Sequence, residues 1–391
     1  MRMQFKPFFL APLLCAIAFV VSPCPFAAAQ EKAPGEALKD EEAKKKLAVI
    51  DRNGFLVIPV AYYKPETSFA GGGAFITYFR TDDDKVDEEN NLPLHLRPSS
   101  VATTLTYTEK RQIIWELFPE FYLDYERYHL LGSIEYQKYP NQFWGVGNDT
   151  RAGQMEKYTE NTLRVRSDLQ REVAHKLYLG LIYHYEHNRI SEFEEGGIID
   201  QGGVRGTREA AAQGLGFSVN FDVRDHDRYT TRGGLYQLTC TAFNPVFNSD
   251  YNFVKWTLDI RQFFPLWWNH VLALQGYGVI ISGKPPFEMM ALLGGKRIMR
   301  GYYEGRYRDE DLLTAQAEYR MPLFWRLGLV GFAGAGEVSP TLNRFTVDGI
   351  RYAYGGGLRA SINQMERMNI RVDVGRSPGF TGVYVTLGEA F

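Results

Sequence analysis

Beyond Val21 the 391-residue chain has no continuous apolar stretch of about eighteen residues, so it lacks a segment able to cross a bilayer as an α-helix. Cysteine is nearly missing. Cys15 and Cys24 lie in the first thirty residues and only Cys240 follows, which excludes an intramolecular disulfide there. Cys240 reads as a small apolar residue on a strand. Neither charge dominates: 44 Lys and Arg face 46 Asp and Glu, a net charge of -2, without the concentrated basic surface that nucleic-acid binding needs.

Signatures of chemistry are also missing. The chain has no Gly-x-Ser-x-Gly elbow, no His-Glu-x-x-His and no phosphate-cradling glycine loop. His184 and His187 are three apart on a strand, so they point to opposite faces and cannot chelate one ion. His226, between Asp225 and Asp227, reads as turn chemistry. The acidic run Asp82 to Glu89 lacks EF-hand spacing and its Gly. The expectation is a protein that is not an enzyme, with no catalytic residue, metal site or cofactor, and no nucleic-acid partner.

Aromatics are abundant at 14%, with 24 Tyr and 26 Phe, and so is Gly at 38 residues. The mean hydropathy of -0.28 is too polar for a helical membrane protein. It suits strands that alternate lipid-facing and lumen-facing side chains. Arg2 and Lys6, the apolar run Phe8 to Val21 and the small residues Ala27-Ala28-Ala29 form an export leader. The expected organisation is a signal peptide (1–29), a short charged periplasmic segment (30–53) and an outer-membrane β-barrel (54–391).

From Phe55 onward the pattern has period two. Val254, Trp256, Leu258 and Ile260 interleave with Lys255, Thr257, Asp259 and Arg261. The same alternation recurs at Leu163 to Leu169, Leu177 to Tyr185, Phe217 to Val223, Leu313 to Tyr319 and Ile370 to Val374. So charged a polar face suits a wet lumen better than the core of a soluble sandwich. About sixteen such segments predict an all-β fold, an antiparallel transmembrane barrel. Short links (Met321-Pro322, Gln364 to Glu366) alternate with long ones (Ile190 to Ala211, Gly283 to Asp311), as periplasmic turns and extracellular loops do.

Several segments resemble the BamA/TamA family, also called the bacterial surface antigen family. Leu293-Gly294-Gly295-Lys296-Arg297-Ile298-Met299-Arg300-Gly301-Tyr302 is similar to the family's Gly-Gly…Arg-Gly-Tyr/Phe signature. Phe143 to Thr150, Phe221 to Gly234 and Tyr354 to Arg359 resemble family segments in the same order. The resemblance implies that the sixth extracellular loop folds into the lumen and that its motif, Gly294, Gly295, Arg300, Gly301 and Tyr302, docks on the inner wall. A guanidinium paired with a wall carboxylate is a fitting anchor. The family's Phe-x-Asp-x-Gly partner reads Phe332-Ala333-Gly334-Ala335-Gly336 here, with Gly334 in place of the Asp. Glu318 faces the lumen by alternation, so the candidate anchor is Glu318 with Phe332 and Gly336, and Arg300 is expected to pair mainly with Glu318. Val383, Val385, Leu387 and Phe391, expected on one face, resemble the signal read by the insertion machinery.

The resemblance implies an outer-membrane assembly or translocation factor for protein or lipid in a Gram-negative bacterium. The alternative is a passive pore or structural surface antigen. The family's periplasmic POTRA domains need roughly seventy-five residues each. The stretch from Gln30 to Phe55 leaves no room for one, so a POTRA-less member is expected. Its partners would be outer-membrane lipid and lipopolysaccharide, the insertion machinery during biogenesis and a separate POTRA-bearing or accessory subunit.

Overall fold

The computed structural model describes residues 54–79, 98–124, 126–363 and 367–391. The expected signal peptide, the 30–53 segment and the acidic 82–89 run lie outside the described residues. The strands are β1 (Gly54–Lys64), β2 (Ser68–Phe79), β3 (Ser99–Thr108), β4 (Ile113–Leu123), β5 (Tyr128–Phe143), β6 (Glu156–Ala174), β7 (Leu177–Phe193), β8 (Glu209–Asp222) and β9 (Gly233–Phe243). They continue as β10 (Phe253–Pro265), β11 (Val271–Gly283), β12 (Ala291–Leu293), β13 (Tyr307–Asp309), β14 (Asp311–Pro322), β15 (Leu327–Ser339), β16 (Arg351–Asn363), β17 (Met368–Ser377) and β18 (Phe380–Leu387).

Sixteen of these close an antiparallel barrel in chain order, β1 to β11 and then β14 to β18. The other two, β12 and β13, pair with each other within the β11–β14 connection. Alternation explains the barrel. On β10, Trp256 faces outward and is exposed while Asp259 is buried on the lumenal face. On β7, Leu181 is 70% exposed while Glu186 is buried. An apolar side chain standing so free is stable only against lipid.

Long connections share one rim: 194–208 after β7, 284–310 after β11 and 340–350 after β15. We call this rim extracellular and the connection 284–310, which carries β12 and β13, loop 6. Two-residue or four-residue turns dominate the opposite rim, as at 175–176 and 323–326. The β8–β9 connection (223–232) is longer there and folds across the opening. Arg320 Nη1 donates to Thr230 O at 3.2 Å and Arg367 Nη1 to Asp225 Oδ2 at 2.8 Å. The apolar core lies inside the barrel, between loop 6 and the wall: Leu293, Met299 and Tyr302 pack with Phe243, Phe253, Val279 and Leu312.

Candidate functional site

Loop 6 returns on itself before it meets the wall. Gly295 N donates to Tyr302 O at 3.0 Å, and Gly294 bridges Ile298. Gly301 has φ +109, and a Cβ there would sit 2.8 Å from Arg376 N, so the loop backbone lies directly against β17. That contact is bonded from both sides. Gly301 N donates to Tyr384 Oη at 3.1 Å, and Ser377 Oγ donates to Gly301 O at 2.6 Å. Tyr302 Oη donates to Tyr352 O at 3.2 Å.

This placement delivers Arg300, 1% exposed, to the lumenal wall. Its Nη2 donates to Glu318 Oε2 at 2.5 Å and its Nη1 to Asp373 Oδ2 at 2.6 Å. The guanidinium stacks on Phe332, 3.6 Å from the ring centroid, a cation–π contact at a fully buried side chain. The carboxylates are shared. Arg320 Nε reaches Glu318 Oε1 at 2.8 Å, and Arg359 Nη1 reaches Asp373 Oδ1 at 2.5 Å. Arg359 Nε also donates to Glu389 Oε2 at 2.6 Å. Buried charges hold one arrangement only when each is paired; here β14 and β17 supply the carboxylates to one loop arginine, and Arg359 of β16 pairs with the same carboxylates.

Alternation placed Glu318 on the lumenal face, and it lies at the site. Asp373 was on the lumenal pattern too, beside Val372 and Val374, but its role in the site was missed. Arg300 therefore divides between Glu318 and Asp373 rather than pairing mainly with Glu318. Gly334 leaves room instead of charge: a Cβ there would come within 2.9 Å of Met299 Sδ, next to Arg300. Gly336 corrects the expectation, because it stands opposite Thr314 and Arg351, away from the anchor.

The C-terminal residues also differ from expectation. Val383 and Leu387 face outward and Val385 is half-buried, but Phe391 does not share their face. The strand ends at Leu387, Gly388 takes φ +76, and the chain turns into the lumen. Phe391 is buried in a cluster with Phe263, Val271 and Ala273, and its carbonyl oxygen accepts from Arg320 Nη2 at 2.9 Å.

The Phe143 to Thr150 segment holds the far limb of loop 6. Gly147 N donates to Arg308 O at 2.8 Å, Trp144 packs edge-on against Tyr303 at 5.3 Å, and Arg306 Nη1 reaches Thr150 Oγ1 at 2.8 Å. Glu66, in the β1–β2 turn, accepts from Glu304 N at 2.8 Å. Burial, with Glu304 nearby, pushes the Glu66 carboxyl above its usual range.

The barrel closes weakly. Strands β1 and β2 are in unbroken register from Gly54 opposite Tyr78 to Lys64 opposite Ser68. Between β1 and β18 one ladder pair forms, Tyr63 opposite Val385. By that register Ala61 falls opposite Leu387, so among the described residues Gly54–Val60 runs past the end of β18 and its outer edge has no ladder partner.

A sixteen-stranded transmembrane barrel with an arginine-pinned loop in its lumen and a short seam is the class that fold and site define. The chain belongs to the Omp85 superfamily, whose domain matches residues 97–375; it is an outer-membrane β-barrel protein. Its structure is similar to that of BamA from Haemophilus ducreyi lacking POTRA domains 1-3, with TM-score 0.59 and 14% identity over 86% of this chain and 70% of that one. It is also similar to CdiB from Acinetobacter baumannii (TM-score 0.54, 14% identity, 86% of this chain and 60% of that one). CdiB from Escherichia coli gives TM-score 0.54 and 10% identity over 86% of this chain and 62% of that one. At such identities the likeness is one of fold, and the chain spans less than two thirds of either CdiB. No curated protein sequence matches the chain.

Proposed function

We propose that this barrel aids insertion or translocation of protein or lipid at the outer membrane, acting through its seam. The observation that carries this reading is the single ladder pair Tyr63–Val385. A backbone edge in lipid has no water to satisfy it, and each unmet group costs several kcal/mol. The free edge Gly54–Val60 is therefore a template for an incoming strand. Phe55 and Val57, both exposed, extend that edge with apolar side chains. The pinned loop 6 keeps the wall at β14 to β17 rigid while the seam opens. Lipid and lipopolysaccharide surround the barrel in this scheme. The outward Val383, Val385 and Leu387 serve its own insertion, and a separate periplasmic POTRA-bearing or accessory subunit brings the client.

A disulfide lock tests this. Antiparallel partners lie about 4.5–5.5 Å apart at Cα, within disulfide reach. Joining Tyr63→Cys to Val385→Cys should abolish insertion of a second barrel, or lipid transfer, in proteoliposomes holding this protein, and reductant should restore it. Unchanged activity under the lock would sink the reading. No activity together with steady conductance in planar bilayers would favour the passive pore.

A further inference from the structure

The lumen beneath loop 6 holds a chamber of about 870 Å³ between strands β4 to β11 and the loop. Arg166, His184, Thr241, Lys255 and Tyr277 line it from the wall. Among the described residues Arg166 makes no side-chain hydrogen bond or ion pair. Lys255 bonds through one N–H to a backbone carbonyl, Met289 O at 3.0 Å. Both cations therefore face one chamber, and Arg166 faces it unpaired among the described residues.

The wall carboxylates of the chamber hold hydrogen bonds of their own, Glu116 accepting from Thr104 Oγ1 at 2.8 Å. Glu186 takes Arg164 in a bidentate pair at 2.8 and 3.0 Å, and Glu135 takes the same arginine at 3.1 Å. Asp168 accepts from Gln170 and Ser218. Glu288, on loop 6, has both oxygens buried without a hydrogen-bond partner among the described residues, and burial pushes its carboxyl well above the usual range. Glu304 lines the chamber from the same loop, as do Lys296 and Arg297. The wall between the two cations is low: in register with Arg166 and Asp168 on β6, β8 presents Gly214 and Gly216 inward.

We infer that this chamber binds a phosphate group, held by the Arg166 guanidinium and the Lys255 ammonium. A guanidinium fork gives two parallel N–H donors to an oxyanion, and an ammonium gives a point charge. The hydroxyls of Thr241 and Tyr277 face the same space and are free to donate to a phosphoryl oxygen. The group arrives on a phospholipid-type headgroup or as a soluble phosphate ester; the chemistry of the site is the same.

Calorimetric titration of the purified full chain in neutral detergent at low salt, with inorganic phosphate and then glycerol 3-phosphate, reads the site. Saturable binding is expected, weakened about tenfold or more by Arg166→Gln or Lys255→Met and weakened less by Arg166→Lys, which keeps the charge but loses the fork. Native mass spectrometry after incubation with phosphatidylglycerol separates the sources. An adduct lost in both variants assigns a lipid headgroup, whereas phosphate binding without an adduct assigns a soluble ester. Heat-modifiable gel mobility reports folding, and if one variant does not fold the other carries the test. No saturable binding of either kind, or binding unchanged in a folded variant, overturns the assignment.

Discussion

Arg300 Nη1 donates to Asp373 Oδ2 at 2.6 Å, tying loop 6 to a strand 73 residues further along the chain. The guanidinium also meets Glu318, and all three side chains are fully buried. Arg300→Met leaves two buried carboxylates with fewer cations. Arg320 and Arg359 still face them, so the loss falls at the lower end of what a broken buried pair costs, about 3 kcal/mol. A lower urea midpoint and faster protease cleavage within 284–310 check it.

The two carboxylates are closely matched. Glu318 takes Arg300 and Arg320 at 2.5 and 2.8 Å with Arg359 at 3.7 Å, and Asp373 takes Arg300 and Arg359 at 2.6 and 2.5 Å with Arg371 at 3.6 Å. Glu318→Gln and Asp373→Asn are therefore expected to lower the unfolding midpoint by similar amounts. Combined with Arg300→Met, each should be non-additive by about 1–3 kcal/mol, because the partners share one network. Additive losses would show that the arginine acts independently of the wall.

Much of this site was legible in the chain, and what was not has a common cause. Alternation alone separates Glu318 and Asp373 from their lipid-facing neighbours, since period two fixes the face of a strand residue. It does not fix the stagger between strands three positions apart, and stagger decides that the second carboxylate on Arg300 comes from Asp373 of β17. Gly334 was visible as a missing acid, yet its use as space for Met299 depends on the loop path. Phe391 read as the end of an outward face because the pattern has no term for Phe263 and Arg320, which draw it inward.

Loop 6 docking is expected to depend on pH. Asp309, on β13 and buried, has its carboxyl pushed up to about 6 by burial, with Glu310 and Asp311 adding repulsion. A carboxyl raised above its unfolded value contributes stability that is full below about pH 4 and is lost as pH rises through about 6. Glu66 and Glu288, both raised, act in the same direction. Amide exchange in 291–309 should be slower at pH 4.5 than at pH 7.5, and Asp309→Asn should slow it at the higher pH and flatten part of the difference. Exchange that speeds up on acidification would contradict this, after correction for the intrinsic pH dependence of exchange.

The seam makes the sharpest dynamic prediction. Strand β18 pairs fully with β17, from Ile370 opposite Leu387 to Ser377 opposite Phe380, but meets β1 at one position. Amides bonded toward β17 should exchange slowly, because opening them breaks a continuous sheet. Amides of Gly54–Val60 that point to the free edge have no ladder partner and should exchange far faster, while those bonded to β2 along the same strand stay protected. The contrast alternates residue by residue along β1, since neighbouring N–H groups point to opposite edges. Extending β18 beyond Leu387 by replacing Gly388 with Val, which disfavours the inward turn at φ +76, should lengthen the ladder and protect the edge. Uniform protection along β1 in the unmodified protein would mean that the seam is closed and that strand capture must occur elsewhere.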